Sequence, residues 1–272
     1  MKSNLAMRLL TAAVAAPVLL SLIFLGPSWG WFAFVALACA IGSVELYGMT
    51  HPGDRVAQVL CTLATLGVMA SMWWLGADAR GLLTVMLMLP IFAVLLALLR
   101  LGDVSTAALR MTASLFGPIY LGGGLGAGVL LHRDGGADGP GFVLLTLMLS
   151  WLSDTGAYFA GRFLGKHKLY EAVSPKKTIE GAIGGLGGAA AGALLAHFVF
   201  LKSLPITHGL ALAVVAGSVG QAGDLGESLL KRSFGVKDSG GIVPGHGGIL
   251  DRVDALLFTS AILYTYLRFV RG

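Results

Sequence analysis

The chain has 272 residues, of which 56% are hydrophobic and only 12% are charged, and its mean hydropathy is +0.82. A soluble domain of this length needs far more polar surface, so the composition excludes one and indicates a polytopic helical membrane protein. The net charge of +5 raises nucleic acid as a partner. The basic residues lie in short loops between apolar runs and form no basic helix, which argues against nucleic-acid binding.

Nine apolar runs, each near the roughly 20 residues that a spanning helix needs, predict an all-α bundle with nine transmembrane helices. The runs cover about 9–25, 29–49, 56–75, 81–99, 108–131, 141–161, 179–201, 206–225 and 253–270. The first run follows Lys2 and Arg8, as in a signal peptide, but the nearest cleavage-like triplet falls inside the second run. We therefore interpret it as a retained helix. The eighth run is the weakest, because it ends in Asp224 and Glu227.

The basic residues indicate the orientation of this bundle. With nine spans, the N-terminus and the loops after the even-numbered spans share one side, and they carry 14 of the 19 Lys and Arg residues. Cytoplasmic loops are enriched in these residues. The N-terminus and both highly charged loops are therefore predicted to face the cytoplasm from the cytoplasmic (inner) membrane.

Carboxylates divide the chain unevenly. The first 133 residues hold only Glu45, Asp54, Asp78 and Asp103, whereas residues 150–254 hold eight. We expect 1–140 to be a transmembrane scaffold of about five spans. Residues 141–272 are expected to be the catalytic transmembrane region, with cytoplasmic loops at 161–178 and 226–252.

One aspartate lies deep in the sixth run, within Ser153–Tyr158. Asp154 is one helical turn from Tyr158, too far inside an apolar run to be ordinary surface charge. An ionisable residue at such a place is a candidate functional residue. Two interpretations stay open: an interhelical polar contact, and a role in binding substrate or metal.

The loop after this run places hydroxyls and ammonium groups just ahead of the next helix, at Ser174, Lys176, Lys177 and Thr178. A helix N-terminus offers free N–H groups and the positive end of the helix dipole, so this pattern predicts a phosphate site. It is not a Walker A loop, because the required order of Gly, Lys and Ser/Thr is missing. The glycines of the following run have the four-residue spacings of tight helix contacts: Gly181, Gly184, Gly185, Gly188 and Gly192.

The eighth run ends in a stripe of polar residues. If the helix continues, Asp224, Glu227, Ser228 and Lys231 are at positions i, i+3, i+4 and i+7, on one face. Two carboxylates, a hydroxyl and an ammonium suit a hard cation beside a phosphate. For Glu227 and Lys231 an ordinary salt bridge is the alternative.

The stretch from Ser228 to Asp254 is the densest in charge and glycine. Asp251 and Asp254 are three residues apart at the start of the last run, so they can share a helical face. Mg²⁺ usually takes one or two protein carboxylates and completes its shell with water and substrate phosphates. Asp224 and Asp251, each at a helix end, are the predicted pair. His246, among glycines, is a base, a phosphate donor or a structural residue.

This stretch closely resembles the signature of the phosphatidate cytidylyltransferase family, also called CDP-diacylglycerol synthases. The signature runs Ser-x-apolar-Lys-Arg, four residues, Lys-Asp, and a glycine turn into His-Gly-Gly-apolar-x-Asp-Arg-apolar-Asp. The chain fills every charged position at the same spacing and departs only at Val243, where the family usually has a larger residue. Segments 153–158 and 174–181 also look like blocks of that family. The resemblance is specific over about 150–255 and only compositional before that.

The resemblance implies that CTP and phosphatidate react to CDP-diacylglycerol and pyrophosphate. It also implies a funnel open to the lipid bilayer and the cytoplasm, dependence on Mg²⁺ with the identity of any second cation left open, and a homodimer. Asp224 and Asp251 are expected to bind the metal, and they are expected to be catalytic together with Lys231, Arg232 and Lys237. The expected substrate-binding residues are Asp154, Ser174, Lys176, Lys177, Thr178, Glu180, Ser228, Asp238, His246, Arg252 and Asp254.

Two alternatives from the residues stay open. An ion-coupled transporter of an anionic solute would use Asp154 and Asp224 as coupling sites, but it would not explain the dense basic and glycine-rich block beside them. A CTP-using kinase or transferase acting on another lipid, such as a polyprenol, is a nearer alternative.

Overall fold

The computed structural model describes residues 16–76, 78–240 and 247–271, and within them the chain is a bundle of α-helices. The helices are α1 (Ala16–Leu25), α2 (Ser28–Thr50), α3 (Arg55–Leu75), α4 (Ala79–Leu99), α5 (Val104–Gly117), α6 (Gly124–Asp134), α7 (Gly139–Leu164), α8 (Ile179–Val199), α9 (Ile206–Ser233) and α10 (Leu250–Tyr266). A π-helical turn, Pro118–Gly123, joins α5 to α6, a 3-10 turn, Gly136–Asp138, precedes α7, and a second π-helical turn, Leu267–Arg271, follows α10.

In the part of the chain that the structure describes, eight segments are long and apolar enough to cross a membrane. They correspond to the second to ninth predicted spans, with α5 and α6 forming one segment, Val104–Asp134. The first predicted span lies partly outside the described residues, and its described part is α1. Helices suit this composition because they satisfy every backbone polar group internally, as a lipid surrounding demands. The chain is a multi-pass helical membrane protein, as predicted.

Polar side chains mark where several helices begin. Asp54, Asp78 and Asp103 accept hydrogen bonds from backbone N–H groups in the first turns of α3, α4 and α5, and Thr178 does so for α8. Such caps satisfy donors that a helix cannot pair internally. Three of the four carboxylates in the first 133 residues therefore have a structural role.

The described loops alternate between two ends of the bundle, as successive membrane spans require. At one end, Asp54, after α2, forms ion pairs with Arg100, after α4, and with Arg110 of α5. At the other end, Asp138, before α7, accepts a hydrogen bond from Ser203, between α8 and α9, at 2.7 Å. Asp138 also contacts Arg271, which follows α10. The loop contacts are therefore those of the predicted layout.

Helices α7 and α8 pack closely through glycine. A Cβ atom at Gly184 would overlap the carbonyl of Gly156, and one at Gly188 would overlap the carbonyl of Leu152. A side chain at either position would require the backbone of α7 or α8 to move. The predicted glycine contacts are confirmed, and they bring the polar end of α7 directly against the start of α8.

Two local features differ from the prediction. The 161–178 loop contains a short antiparallel hairpin, β1 (Lys168–Tyr170) with β2 (Ser174–Thr178), in an otherwise all-α chain. Helix α9 continues to Ser233, so the first eight residues of the predicted 226–252 loop are helical. The second difference matters for function, because it places Lys231 and Arg232 on a helix rather than on a loop.

Candidate active site

A cavity of about 420 Å³ opens at the end of the bundle where α7, α8, α9 and the hairpin meet. Five of the predicted site residues line it: Asp154, Lys176, Lys177, Thr178 and Asp224. Tyr158, Arg162 and Gln221 also line it and were not predicted. Acidic groups from α7 and α9 thus face basic groups from β2 across one space.

The closest charge pair in this cavity joins Lys177 to Asp224. The Lys177 Nζ lies 2.6 Å from the Asp224 Oδ2, and both side chains are about 30% exposed, at 28% and 31%. One turn earlier on α9, the Gln221 Nε2 donates to the Ser153 Oγ at 3.3 Å and to the Ala182 carbonyl at 3.1 Å. Gln221 therefore ties α9 to both α7 and α8 and fixes the position of Asp224 beside Asp154.

The start of α8 uses its polar side chains for local structure. The Thr178 Oγ1 accepts a hydrogen bond from the Gly181 N–H at 3.1 Å. Glu180 accepts hydrogen bonds from the Lys166 and His167 backbone N–H groups and meets the His167 Nδ1 at 2.6 Å. Glu180 thus holds the entrance of the hairpin and is not among the cavity-lining residues. A substrate contact through Glu180, or through Ser174 at the start of β2, stays a prediction.

A second charge cluster joins α9 to α10. The Lys231 Nζ lies 2.5 Å from both the Glu227 Oε2 and the Asp251 Oδ1. All three are largely removed from solvent, with side chains 11%, 1% and 12% exposed. The i,i+4 salt bridge between Glu227 and Lys231, which was the alternative interpretation, does form. It is part of a buried cluster of three residues and not a surface salt bridge. Removing one member of such a cluster leaves a buried charge without compensation.

Asp251 has four donors among the described residues. Besides Lys231, its Oδ2 accepts hydrogen bonds from the Ser239 N–H at 3.2 Å, the Ser239 hydroxyl at 3.0 Å and the Gly248 N–H at 2.8 Å. Each aspartate of the predicted metal pair therefore has its own ammonium partner, Lys177 for Asp224 and Lys231 for Asp251. Within the described ranges, no three His, Cys, Asp or Glu side chains form a ready metal site.

The cavity and the Lys231 cluster belong to one charged region. The Asp254 carboxylate interacts electrostatically with Asp224, Glu227 and Asp154. Close packing of α9 on α10 explains this proximity, because a Cβ at Gly223 would contact the Asp254 carbonyl at 3.0 Å. Acidic and basic side chains meet in this region: Asp154, Asp224, Glu227, Asp251 and Asp254 lie with Arg162, Lys176, Lys177, Lys231 and Arg252.

A cluster of five carboxylates suits a divalent cation. Carboxylate oxygens are the ligands that Mg²⁺ takes from proteins, usually one or two of them, with water and phosphate oxygens completing the octahedron. A buried acceptor without a partner points the same way: among the described residues, nothing hydrogen-bonds the Glu227 Oε1. The Tyr120 hydroxyl, which also has no hydrogen-bond partner among them, interacts electrostatically with Asp254, Glu227 and Asp224. The residues present fit the implied metal.

The other predicted residues with described positions do not line the cavity. The Arg232 Nη1 donates to the Val236 carbonyl at 2.9 Å, and Lys237 and Asp238 are exposed. Ser228 is half-buried on α9, one turn beyond Asp224, and Arg252 is exposed and interacts electrostatically with Asp154. His246 lies outside the described residues.

Two residues at the site come from the half of the chain that we expected to be scaffold. Tyr120 lies on the π-helical turn and packs against Phe258 of α10, with ring centroids 5.9 Å apart. Glu45 of α2 contacts the segment that leads into α10. Glu45 thus links the expected scaffold half to the segment that carries Asp251, and the lone carboxylate in an apolar run was the signal that could have identified this contact. No sequence signal singled out Tyr120.

A further charged patch lies at the same end of the bundle. Asp54 accepts hydrogen bonds from Arg100 at 2.9 Å and Arg110 at 3.2 Å, beside a groove of about 820 Å³. The Arg100 hydrogen bond lowers the pKa of Asp54. Next to it, His51 is buried between the Thr50 Oγ1 at 2.9 Å and the Ser114 Oγ at 3.1 Å. Burial, with a smaller contribution from Arg110, lowers the pKa of His51 from 6.5 to about 4.

Comparison with known proteins places this arrangement in a family. A family model described as the cytidylyltransferase family matches residues 6–270, which include all the charged residues of the site. The chain belongs to the cytidylyltransferase family. The match extends over the expected scaffold half, where the sequence resemblance was only compositional.

Curated relatives carry a more specific name. Proteins named phosphatidate cytidylyltransferase from Staphylococcus haemolyticus, Staphylococcus epidermidis and Staphylococcus aureus are 45%, 43% and 42% identical to the chain over 139 residues. These matches cover 51% of this chain and 54% of each relative, so the chain spans about half the length of the curated relatives it matches.

Proposed function

We propose that this chain is a phosphatidate cytidylyltransferase, which converts CTP and phosphatidate to CDP-diacylglycerol and pyrophosphate. The observation that carries the proposal is the pairing of Lys177 with Asp224 in an open cavity at the end of an apolar bundle, adjacent to the buried Lys231 cluster. Both substrates are polyanions, and one is a lipid. A site for them needs basic groups and cation-binding carboxylates at a membrane face, and this site supplies both.

In the proposed reaction, an oxygen of the phosphatidate phosphate attacks the α-phosphorus of CTP in line. The bond between that phosphorus and the oxygen bridging to the β-phosphate breaks, and pyrophosphate leaves with its electron pair. No protein nucleophile is required, so catalysis is positioning and charge neutralisation. The substrate phosphates would be held by Lys176 and Lys177 of β2 and by Lys231 of α9. The leaving pyrophosphate would be stabilised by Arg232 and Lys237.

Mg²⁺ is part of the proposal, with Asp224 and Asp251 as the carboxylates that would hold it. Bound there, it would neutralise phosphate oxygens and polarise the α-phosphorus. Asp224 would then exchange its Lys177 ion pair for the metal, and Lys177 would become available to substrate phosphate. Asp254 and Asp154 keep the negative potential that attracts a cation to this region.

The setting of the site follows from the charge distribution. Because 14 of the 19 Lys and Arg residues lie on the side of the site, we propose that it faces the cytoplasm from the inner membrane. Phosphatidate would enter from the bilayer and CTP from water. A homodimer is also part of the proposal and rests on the family resemblance alone.

The experiment supplies purified protein in detergent with CTP, phosphatidate and Mg²⁺. Pyrophosphate and CDP-diacylglycerol should form in equal amounts, and a chelator or omission of phosphatidate should stop both. A transporter needs a sealed compartment and would make no product in detergent. A CTP-using kinase would release CDP and no pyrophosphate, which would refute the proposal, as would absence of turnover by correctly folded protein.

The same assay tests the metal residues. Asp224→Asn and Asp251→Asn should each lower the rate by about 100-fold or more, since a neutral amide binds Mg²⁺ poorly and stabilises transition-state charge less. Asp103→Asn is the matched control, because Asp103 caps α5 through the Ser105 N–H, away from the acidic cluster. A wild-type rate with unchanged metal dependence in either site variant would contradict its assignment.

A further inference from the structure

Glu45 is a buried carboxylate whose surroundings are unusual for a transmembrane helix. It lies on α2 and is only 6% exposed. A charge so placed costs several kcal/mol unless hydrogen bonds compensate it. The hydrogen bonds that compensate the Glu45 charge come from residues about 200 positions later in the sequence.

Three groups from the segment before and into α10 donate to Glu45. The Oε1 accepts from the Ile249 N–H at 3.1 Å, and the Oε2 accepts from the Leu250 N–H at 2.9 Å and from the Ser239 hydroxyl at 3.2 Å. No side chain of α10's own segment caps that helix. Glu45 therefore acts as the missing cap from another helix, with its negative charge at the positive end of the α10 dipole.

The neighbouring backbone is shaped to let this carboxylate in. A Cβ at Gly240 would lie 2.5 Å from the Glu45 Oε1, and one at Gly248 would overlap the Oε2. A side chain at either position would displace the Glu45 carboxylate, so the two described ends of the glycine-rich segment close around it.

The contact continues to Asp251 through one hydroxyl. The Ser239 Oγ lies 3.2 Å from Glu45 and 3.0 Å from Asp251, and the Ser239 N–H also donates to Asp251. A hydroxyl has one hydrogen to donate, so its sharing depends on the charge of both carboxylates. The chain of contacts then ends at Lys231.

We propose that Glu45 is a positioning residue for the reaction: it anchors both ends of the glycine-rich segment and, through Ser239, holds Asp251 against Lys231. This role rests on the proposed function. Glu45 does not touch the cavity. It acts on the reaction only by fixing Asp251, so its loss should change turnover more than substrate affinity.

The test compares Glu45→Gln, Glu45→Asp and Ser239→Ala with wild type and with Asp103→Asn as control. Gln keeps the size of Glu but turns an NH₂ group toward N–H donors. Glu45→Gln should lower kcat by about 10–100-fold, the usual cost of losing a group that orients a ligand residue, with KM for CTP little changed. Ser239→Ala should lower kcat in the same way, and the double variant should lose little more than either single one. Glu45→Asp should recover part of the rate.

A second readout does not depend on activity. Amide hydrogen exchange at Ile249 and Leu250 should accelerate in Glu45→Gln and stay unchanged in Asp103→Asn. Wild-type kcat in Glu45→Gln, additive losses in the double variant, or unchanged exchange would each overturn the positioning role. If Glu45→Gln does not fold, Ser239→Ala carries the kinetic test. No turnover in the wild type would instead refute the proposed function and the positioning role with it.

Discussion

His51 gives a pH dependence of stability that can be worked out from the structure. Its ring is 2% exposed and bonded on both sides, and burial lowers its pKa from 6.5 to about 4. Between these values the unfolded chain binds a proton that the folded chain does not. The stabilisation is therefore complete above about pH 6.5 and is lost progressively as the pH falls from 6.5 to about 4. Linkage gives a loss of about 2 kcal/mol by pH 5 and about 3 kcal/mol below pH 4.

The assay is unfolding of purified protein in detergent at fixed pH values between 7.5 and 4.5. His51→Gln removes the ionisable ring, so the free-energy gap between wild type and this variant should shrink by about 2 kcal/mol from pH 7.5 to 5. Ser114→Ala is the matched control, because it removes the Nε2 partner and keeps the ring. Its stability should follow the wild-type pH dependence. Parallel curves for wild type and His51→Gln would refute the reasoning.

Two further predictions concern packing and topology. Gly188→Ala should destabilise the protein by about 1–3 kcal/mol, because a methyl group there meets the α7 backbone. Gly187→Ala is the control and should not, because its Cβ has open space around it. Equal unfolding temperatures for the two variants would contradict the packing. After removal of the native cysteines, single cysteines at the exposed residues Ala172 and Ala137 should be labelled from opposite faces of the membrane. Labelling of both from one face would contradict the nine-span layout.

Much of the architecture was predictable because hydropathy constrains it strongly. A run of about 20 apolar residues in a membrane has one stable form, and the glycine spacing on α8 requires a close neighbour. The end of α9 was predicted too early, because Asp224 and Glu227 interrupt the apolar run. Ion pairs with Lys177 and Lys231 make these acids compatible with the helix, and such partners cannot be read from hydropathy.

The candidate site was predictable where residues are close in sequence. The Glu227–Lys231 pair follows from helical spacing, and clustering of the acids on α9 and α10 follows from their positions at helix ends. The contacts of Glu45 and Tyr120 depend on how α2 and the π-helical turn pack against α10. A single sequence carries no local signal of that packing, so these partners required the structure.

The contact between Glu45 and Leu250 joins residues that are 205 positions apart, which has a consequence for biosynthesis. At about 5–20 residues per second, α10 emerges from the ribosome on the order of 10–40 s after α2. During that interval α2 holds a carboxylate whose partners do not yet exist. It must keep water or other donors beside it until α10 arrives. Insertion of α10 thus joins α2 to the charged region, and a chain truncated before α10 would leave Glu45 without its Ile249 and Leu250 donors, as a polar group that quality control can recognise.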